Sequence, residues 1–389
     1  MWTGMERTYK YRIYPTPAQA EVLNWNILLC QRLYNSALEE RIRAFQAGAS
    51  VNFISQCRAA TMLRKENPEY QNVYSHALQD VLRRIDNAYR AFFRRLKAGE
   101  KPGFPRFKSF RRYHSITYDR YGFRLDNGRL NLTKVGDIRV FMHRPIEGTS
   151  LTCIIKRDAV GDWWACISSK IPDVPKVLLK SAVGVDVGLK SLYTTSDGEE
   201  VKPPKFLRRS EEKVKILQRR VSSKKKGSRN REKSVKDLAK VYRKIERQRD
   251  DFLHKQARSL VNRYDLIAFE NLNIKGMQGN HHLAKSIGDA GWGKLIQYTT
   301  YKAVDAGKSV VLVDPSGTSQ ICAQCGAVVK KSLSVRFHVC PKCGFSADRD
   351  FNAALNIRGR IPAGCGELLK TPVEATPLSS PSGGGKRGP

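Results

Sequence analysis

Negative charge is scarce in this chain: 36 Asp and Glu stand against 70 Lys and Arg, a formal charge of +34 over 389 residues. That deficit excludes the near-neutral surface of an ordinary metabolic enzyme. Self-repulsion of this size is costly unless a polyanion neutralises it, which points to nucleic acid or an anionic membrane. Long apolar runs are also missing. No stretch of about 18 apolar residues could span a bilayer, and the opening MWTGMERTYKYRIY lacks the apolar centre of a signal peptide. A cytoplasmic protein without membrane contact is expected. A disulfide framework is absent too: of nine Cys, Cys30, Cys57, Cys153, Cys166 and Cys365 are scattered singles, as suits a reducing compartment. Hydrophobic residues nevertheless reach 41%, too many for a disordered basic tail and enough for two or more cores.

Periodicity divides what is there. Residues 7–14 alternate as a strand that stops at Pro15. Thr16, Pro17 and Gln19 then form a capping-box start for a helix running to about residue 46. Further helices are predicted over about 53–65 and 72–96. The last places Leu78, Val81, Leu82, Ile85, Tyr89 and Phe92 on one face, with Arg83, Arg84, Arg90, Arg94 and Arg95 on or beside the other. Residues 101–110, KPGFPRFKSF, break the helix and interleave three Phe with three cations; this suits base stacking beside phosphate contacts, or equally a loop whose Phe plug the adjacent core. Residues 115–170 switch to period two and predict a small antiparallel barrel or sandwich, into which the helices are inserted.

A second region follows. Short apolar strands are predicted at 182–186 (AVGVD), 191–195, 266–269 (LIAF) and 310–313 (VVLV). Between 205 and 250, 19 Lys and Arg face six Asp and Glu. The segment SSKKKGSR at 222–229 breaks it into a helical hairpin whose second arm carries Val235, Leu238, Tyr242, Ile245, Phe252 and Leu260 at helical spacing. Residues 362–389, rich in Pro, Gly and Ser, read as a disordered tail.

Two constellations carry chemistry. Cys322-x-x-Cys325 and Cys340-x-x-Cys343, each followed by Gly (Gly326, Gly344), can aim four thiolates at one tetrahedral Zn²⁺. A closed four-thiolate site is structural, and His338 nearby is not needed as a ligand. The second constellation is acidic: Asp186 in VGVDVG, Glu270 in IAFENL and Asp350 in DRDFNAALNI, with Asp348 as its neighbour. Asp186 and Glu270 each end an apolar strand, where an unpaired buried carboxylate is costly. A pair of Mg²⁺ ions would offset that cost.

The segments YKYRIYPTPAQ, RAFFRRLKAGEKPGFPRFKS, VGVDVGLKSL, LIAFENLNI and DRDFNAALNI, in this order over residues 9–357, together with the four-Cys ribbon, resemble the TnpB (OrfB) family of insertion-sequence proteins, relatives of type V CRISPR effector nucleases. The resemblance implies an α+β multidomain chain. Residues 1–14 and 113–178 would form a barrel-like wedge domain, with 15–112 as a helical recognition insertion. Residues 179–361 would form a RuvC-like nuclease domain of RNase H fold, carrying a basic helical hairpin (205–263) and a zinc ribbon (316–346). It implies an RNA-guided DNA endonuclease that uses a guide RNA from the transposon end and double-stranded target DNA beside a short motif. Asp186, Glu270 and Asp350 would be its catalytic Mg²⁺ ligands, and a nucleoid-associated location would follow. Nucleic-acid contacts are expected at Arg94, Arg95, Lys97, Lys101, Phe104, Arg106, Lys108, Lys224, Lys225 and Lys226. Rival readings are a strand-transfer transposase and a non-cleaving regulator of the element.

Overall fold

The computed structural model describes residues 5–332 and 335–362. The chain divides into two compact units, one ending at Asp173 and the other beginning at Val174. Among the described residues, no helix is long and apolar enough to cross a membrane. The proposed tail at 362–389 and Cys365 lie outside them, apart from Pro362.

In the first unit, β1 (Met5–Tyr14) leads into α1 (Pro17–Gln46). The capping box forms as the sequence predicts: Gln19 N–H donates to the Thr16 hydroxyl at 3.3 Å, and Thr16 N–H donates to Gln19 Oε1 at 3.0 Å. Such a cap is worth about 1 kcal/mol. Next come α2 (Phe53–Glu66), α3 (Pro68–Gln71) and α4 (Ser75–Lys97). Pro68 lacks an N–H, so it begins the separate turn α3, and α4 starts later than the sequence predicts. Six strands follow: β2 (Ser115–Asp119), β3 (Phe123–Asp126), β4 (Arg129–Leu132), β5 (Gly136–Phe141), β6 (Thr149–Arg157) and β7 (Trp163–Ile171).

These strands join β1 in one antiparallel sheet of order β2-β6-β7-β1-β5-β4-β3. β1 lies inside it, paired on both sides, and its alternation buries Tyr9, Tyr11 and Ile13. Leu23, Ile27 and Leu33 of α1 and Leu78, Val81, Leu82 and Ile85 of α4 share that core, so helices and sheet fold as one body. Of the cations beside the α4 apolar face, Arg84 is structural. It bonds Asp80 at 2.7 Å and the Thr117 hydroxyl at 2.6 Å, tying α4 to β2.

The second unit opens with β8 (Ala182–Val187), β9 (Tyr193–Thr195) and β10 (Glu200–Val201), then α5 (Phe206–Arg209), α6 (Glu211–Ser222) and the long α7 (Arg229–Arg263). It continues through β11 (Leu266–Glu270), α8 (Ile274–Met277), α9 (His281–Ala290), α10 (Trp292–Asp305) and β12 (Ser309–Val313). The hairpin β13 (Phe337–Val339) and β14 (Ser346–Asp348) precedes α11 (Arg349–Gly359). The sheet order is β10-β9-β8-β11-β12, with β8, β11 and β12 parallel and β9 antiparallel to β8. β11 is buried along its whole length, as a central parallel strand requires.

The apolar stripe of α7 is used unevenly. Ile245, Leu253, Ala257 and Leu260 are buried, while Val235 and Tyr242 in its first half stay partly exposed. The first half packs beside the short, cation-rich α6, where Val214 and Leu217 are the buried residues.

Candidate active site and metal centre

Strand ends and one helix bring the acids together. Asp186 sits next to the end of β8, and Glu270 is the last residue of the adjacent β11. Asp350 lies in the first turn of α11. What lets α11 close on β8 is Gly184: a Cβ there would stand 2.1 Å from the Ala354 carbonyl oxygen and 2.5 Å from the Arg358 nitrogen. The glycine of VGVD is therefore a contact surface for the helix that carries the third acid.

Electrostatics record the convergence. Desolvation first, then the charges of Glu270, Asp350 and Asp348, push the Asp186 carboxyl well above the ordinary range, against the charge of Arg349. Glu270 is buried, which raises its carboxyl, while the Thr318 hydroxyl and the charge of Arg360 hold it down. Asp350 receives Arg349 Nη2 at 3.0 Å, with Arg336 Nη1 at 3.9 Å. Asp348 has a different task. Its Oδ1 accepts the Asp350 N–H at 2.8 Å and caps α11.

The four cysteines form the other centre. Their sulfurs all lie within 4.8 Å of one another, with Cys322 to Cys343 at 3.7 Å and Cys325 to Cys340 at 3.6 Å. Both knuckles fold alike: Gly326 N–H donates to Cys322 O and Cys322 N–H to Ala327 O, while Gly344 N–H donates to Cys340 O and Cys340 N–H to Phe345 O. Gly326 and Gly344 take φ of 73° and 77°, the left-handed region that the turn requires. Backbone N–H groups of Cys343 and Lys342 face the Cys340 sulfur and lower its thiol pKa to about 6, even against desolvation. A soft, tetrahedral N/S-seeking ion such as Zn²⁺ fits this donor set. His338 is not a ligand. It is buried and bonded through Nδ1 to Lys331.

Sequence reading missed the ties between these centres. Asn352 is fully buried, its Oδ1 accepting Ala323 N–H at 3.0 Å and its Nδ2 donating to Ile321 O at 2.8 Å. Asn356, one turn on, donates to Ile321 O and Thr318 O, both at 2.7 Å. The two Asn of FNAALN thus grip the backbone on either side of Cys322. Their i, i+4 spacing is the only signal, and it is meaningful only once α11 is placed.

Expected nucleic-acid residues fall in two places. Arg94, Arg95 and Lys97 end α4 and are exposed, as are Lys101, Phe104 and Arg106 beyond it. Phe104 sets its ring edge-on to Tyr89 and Phe92 at 5.7 and 5.4 Å while staying half-exposed, so it both packs and presents a face. Lys108 is pinned through its backbone to Asn35 and Gln31. In the second unit, Lys225 and Lys226 are exposed at the α6–α7 turn, and Lys224 bonds the Ser234 hydroxyl at 2.7 Å.

A family description reading "Probable transposase" (OrfB_IS605) matches residues 166–281, and a "Cas12f1-like, TNB domain" matches 292–357. A putative RNA-guided DNA endonuclease of Streptomyces pristinaespiralis is 34% identical, over 97% of this chain and 95% of its own length. The chain belongs to the OrfB/TnpB family. Within that family, the putative RNA-guided DNA endonuclease InsQ of Escherichia coli K12 is 28% identical over 94% of this chain and 95% of its own. The fold is similar to that of Cas12f1 in the Cas12f1–sgRNA–target DNA complex, with a TM-score of 0.58 at 15% identity over 91% of this chain and 99% of that one. Residues 1–50 match an OrfB description worded "Helix-turn-helix domain". Residues 5–46 hold instead a strand and one long helix, so this segment has no second helix to place in a DNA groove.

Proposed function

We propose that this OrfB/TnpB protein is an RNA-guided DNA endonuclease of a transposable element, hydrolysing target phosphodiesters at Asp186, Glu270 and Asp350. One observation carries the reading: the half-buried Asp186 carboxyl is crowded by the charges of Glu270 and Asp350, which together with desolvation push it well above the ordinary range. Asp186 and Glu270 stand at the carboxyl ends of adjacent parallel strands, where ligands of such sheets bind. An all-carboxylate set suits hard divalent cations, so these residues would hold Mg²⁺. When bound there, a pair of such ions supplies an activated water and stabilises the leaving oxygen.

The chain's own residues prepare that chemistry. Asp186 and Glu270 are fixed by neighbouring strands, and Asp350 by a helix capped by Asp348. The Thr318 hydroxyl orients Glu270 and favours its ionised form. Arg349 and Arg336 beside Asp350 restrain it, and their charge also suits a phosphate. The four-Cys ribbon holds Zn²⁺ structurally, and Asn352 and Asn356 fasten it to α11.

In this reading residues 1–14 and 113–178 are the wedge domain and 15–112 the recognition insertion. Residues 179–361 are the RuvC-like domain, with 205–263 and 316–346 as insertions. The excess of cations binds a guide RNA derived from the transposon end, through the surfaces of Arg94, Arg95, Lys97, Lys101, Phe104, Arg106, Lys108 and Lys224–Lys226. Base pairing then selects the target, and the protein holds the heteroduplex through its backbone.

Asp186→Ala and Glu270→Ala are expected to abolish cutting of guide-matched DNA while RNA binding is retained. Unchanged cutting by either variant contradicts the assignment. The description "Probable transposase" favours one second reading, strand transfer. Joined strands instead of free hydrolysed ends in the same assay would support it.

A further inference from the structure

The second unit contains a cleft of about 430 Å³ walled by five exposed cations, Lys190, Lys202, Lys205, Arg208 and Arg209, around Pro203 and Pro204. Among the described residues, no acid lines it. Arg208 is fixed by donating to the Ser286 hydroxyl at 2.8 Å. The side chains of Lys190, Lys202, Lys205 and Arg209 have no hydrogen-bond or ion-pair partner among the described residues. Elsewhere in this unit exposed cations are paired with acids, as Lys215 is with Glu212 and Lys255 with Asp251. Here like charges are left to repel one another, a cost that an anion in the cleft removes.

Buried residues hold both walls in place. Lys190 lies on the connection from β8 to β9, which Trp292 steadies by donating its Nε1–H to Gly188 O at 3.0 Å. Residues 202–209 form the other wall. There the buried Asp289 carboxylate accepts Leu207 N–H at 3.0 Å and Arg208 N–H at 3.4 Å, and pairs with Arg249 at 2.9 Å. Asp289 and Trp292 flank the junction of α9 and α10, so one short segment fixes both sides of the cleft. Lys205 takes a φ of 53°, a left-handed conformation that a residue with a Cβ adopts only at a cost. The two prolines before it leave that stretch little freedom to relax.

The cleft lies at the edge of the sheet that carries the acids. β9 runs antiparallel to β8 and β10 antiparallel to β9, and Val187 and Val201 stand on either side of Tyr193. The chain therefore leaves β10 toward Lys202 level with the end of β8, two strand spacings or about 10 Å from the strand of Asp186. A stacked polynucleotide strand advances about 3.4 Å per nucleotide. We propose that this cleft holds a backbone phosphate of the DNA strand being cut, within about three nucleotides of the bond at the acids, and so sets where along the strand the cut falls. Lysine ammonium groups suit a phosphate as point charges, and such contacts fix register without reading the base. The occupant is the cut strand because a polynucleotide lying at Asp186 continues along the same sheet edge. The proposal rests on the nuclease reading above and adds a phosphate subsite to it.

The test uses the full-length protein with the RNA that co-purifies with it, and DNA matched to that RNA in which one neutral methylphosphonate linkage is placed in turn at each position around the cut. For wild type, one such linkage within about three nucleotides of the cut should slow single-turnover cleavage about tenfold. Lys190→Gln and Lys205→Gly should each slow cleavage of all-phosphate DNA about tenfold and lose the extra sensitivity to that linkage. Glycine suits the left-handed backbone at 205, so the melting temperature of Lys205→Gly should be equal or higher, which separates loss of the cation from loss of the fold. Wild-type rates in both variants, full sensitivity to the neutral linkage in either, or no sensitive position in wild type overturns the subsite. Variants that lose the co-purifying RNA yet cut normally once loaded overturn its assignment to DNA. Wild-type protein that cuts no matched DNA overturns the nuclease reading as well, a failure distinct from loss of the phosphate contact alone.

Discussion

The Thr318 hydroxyl donates to Oε1 of Glu270, and both residues are buried. The Thr318 carbonyl in turn accepts from Asn356 of α11, the helix that carries Asp350. One residue at the start of the ribbon therefore orients one acid and anchors the helix of another. Thr318→Val keeps the shape and removes the hydroxyl. A hydrogen bond to a charged group is worth about 1.5–3 kcal/mol, so single-turnover cleavage should slow about tenfold or more, with RNA affinity unchanged. Thr318→Ser should restore most of the rate.

Gly184 is the point at which α11 touches β8. A methyl group 2.1 Å from a helix carbonyl cannot be accommodated by a side-chain rotation, because the opposing atom is backbone. Gly184→Ala should cost about 1–3 kcal/mol of stability, as overpacking does, and displace Asp350 from Asp186. Thermal melting and cleavage should fall together. Native melting with normal cleavage would show that α11 is free to shift.

Asp265 joins the starts of the parallel strands. Its Oδ2 accepts the N–H of Lys180 at 3.0 Å and of Ser181 at 3.2 Å, and its Oδ1 pairs with Lys308 at 3.2 Å. Burial alone would raise this carboxyl, but these donors outweigh it and hold it below the usual carboxylate range. A carboxyl lowered by folding contributes its stability above the unfolded value, and loses it as pH falls through the folded one. Asp265→Asn should therefore lower stability by about 1–2 kcal/mol at pH 7. That gap from wild type should begin to narrow below about pH 4 and close only once pH falls below the lowered folded value. Urea denaturation at both pH values measures it.

The ribbon and the acids are mechanically linked, so zinc removal should reach beyond the cysteines. Mercurial titration of the thiols should release one Zn²⁺ per chain. Because Asn352 bonds Ile321 and Ala323 around Cys322, ion loss should unfasten the start of α11. Asn352→Ala, which leaves the four thiols in place, should keep the zinc and still impair cleavage. Full activity after zinc release would separate the two centres.

Local chemistry was readable in the chain, and distant pairing was not. The Thr16 capping box and the glycines after each Cys pair depend on near neighbours, and the structure places them as that chemistry requires; Asp186 and Glu270 lie at the ends of apolar strands, as their local sequence indicates. The position of β1 inside the first sheet depends on partners such as Ala165 opposite Tyr11, more than 150 residues away, which periodicity cannot name. The ties through Thr318, Asn352 and Asn356 were hidden for the same reason. A Thr or Asn in a loop or helix looks solvated until the opposing backbone is known. The α7 stripe misled in the other direction, since a helical apolar pattern shows what can be buried but not whether a neighbour is long enough to cover it.

The central claim is that Asp186 is held in an acid cluster built for divalent cations. It is tested most directly by the melting temperature of wild type and Asp186→Asn, each with and without Mg²⁺. Without metal, the variant should melt higher than wild type, because it removes a crowded, half-buried charge. Adding Mg²⁺ should raise wild type by several degrees and leave the variant unmoved. A variant that melts lower than wild type without metal, or that gains as much from Mg²⁺, would contradict the account.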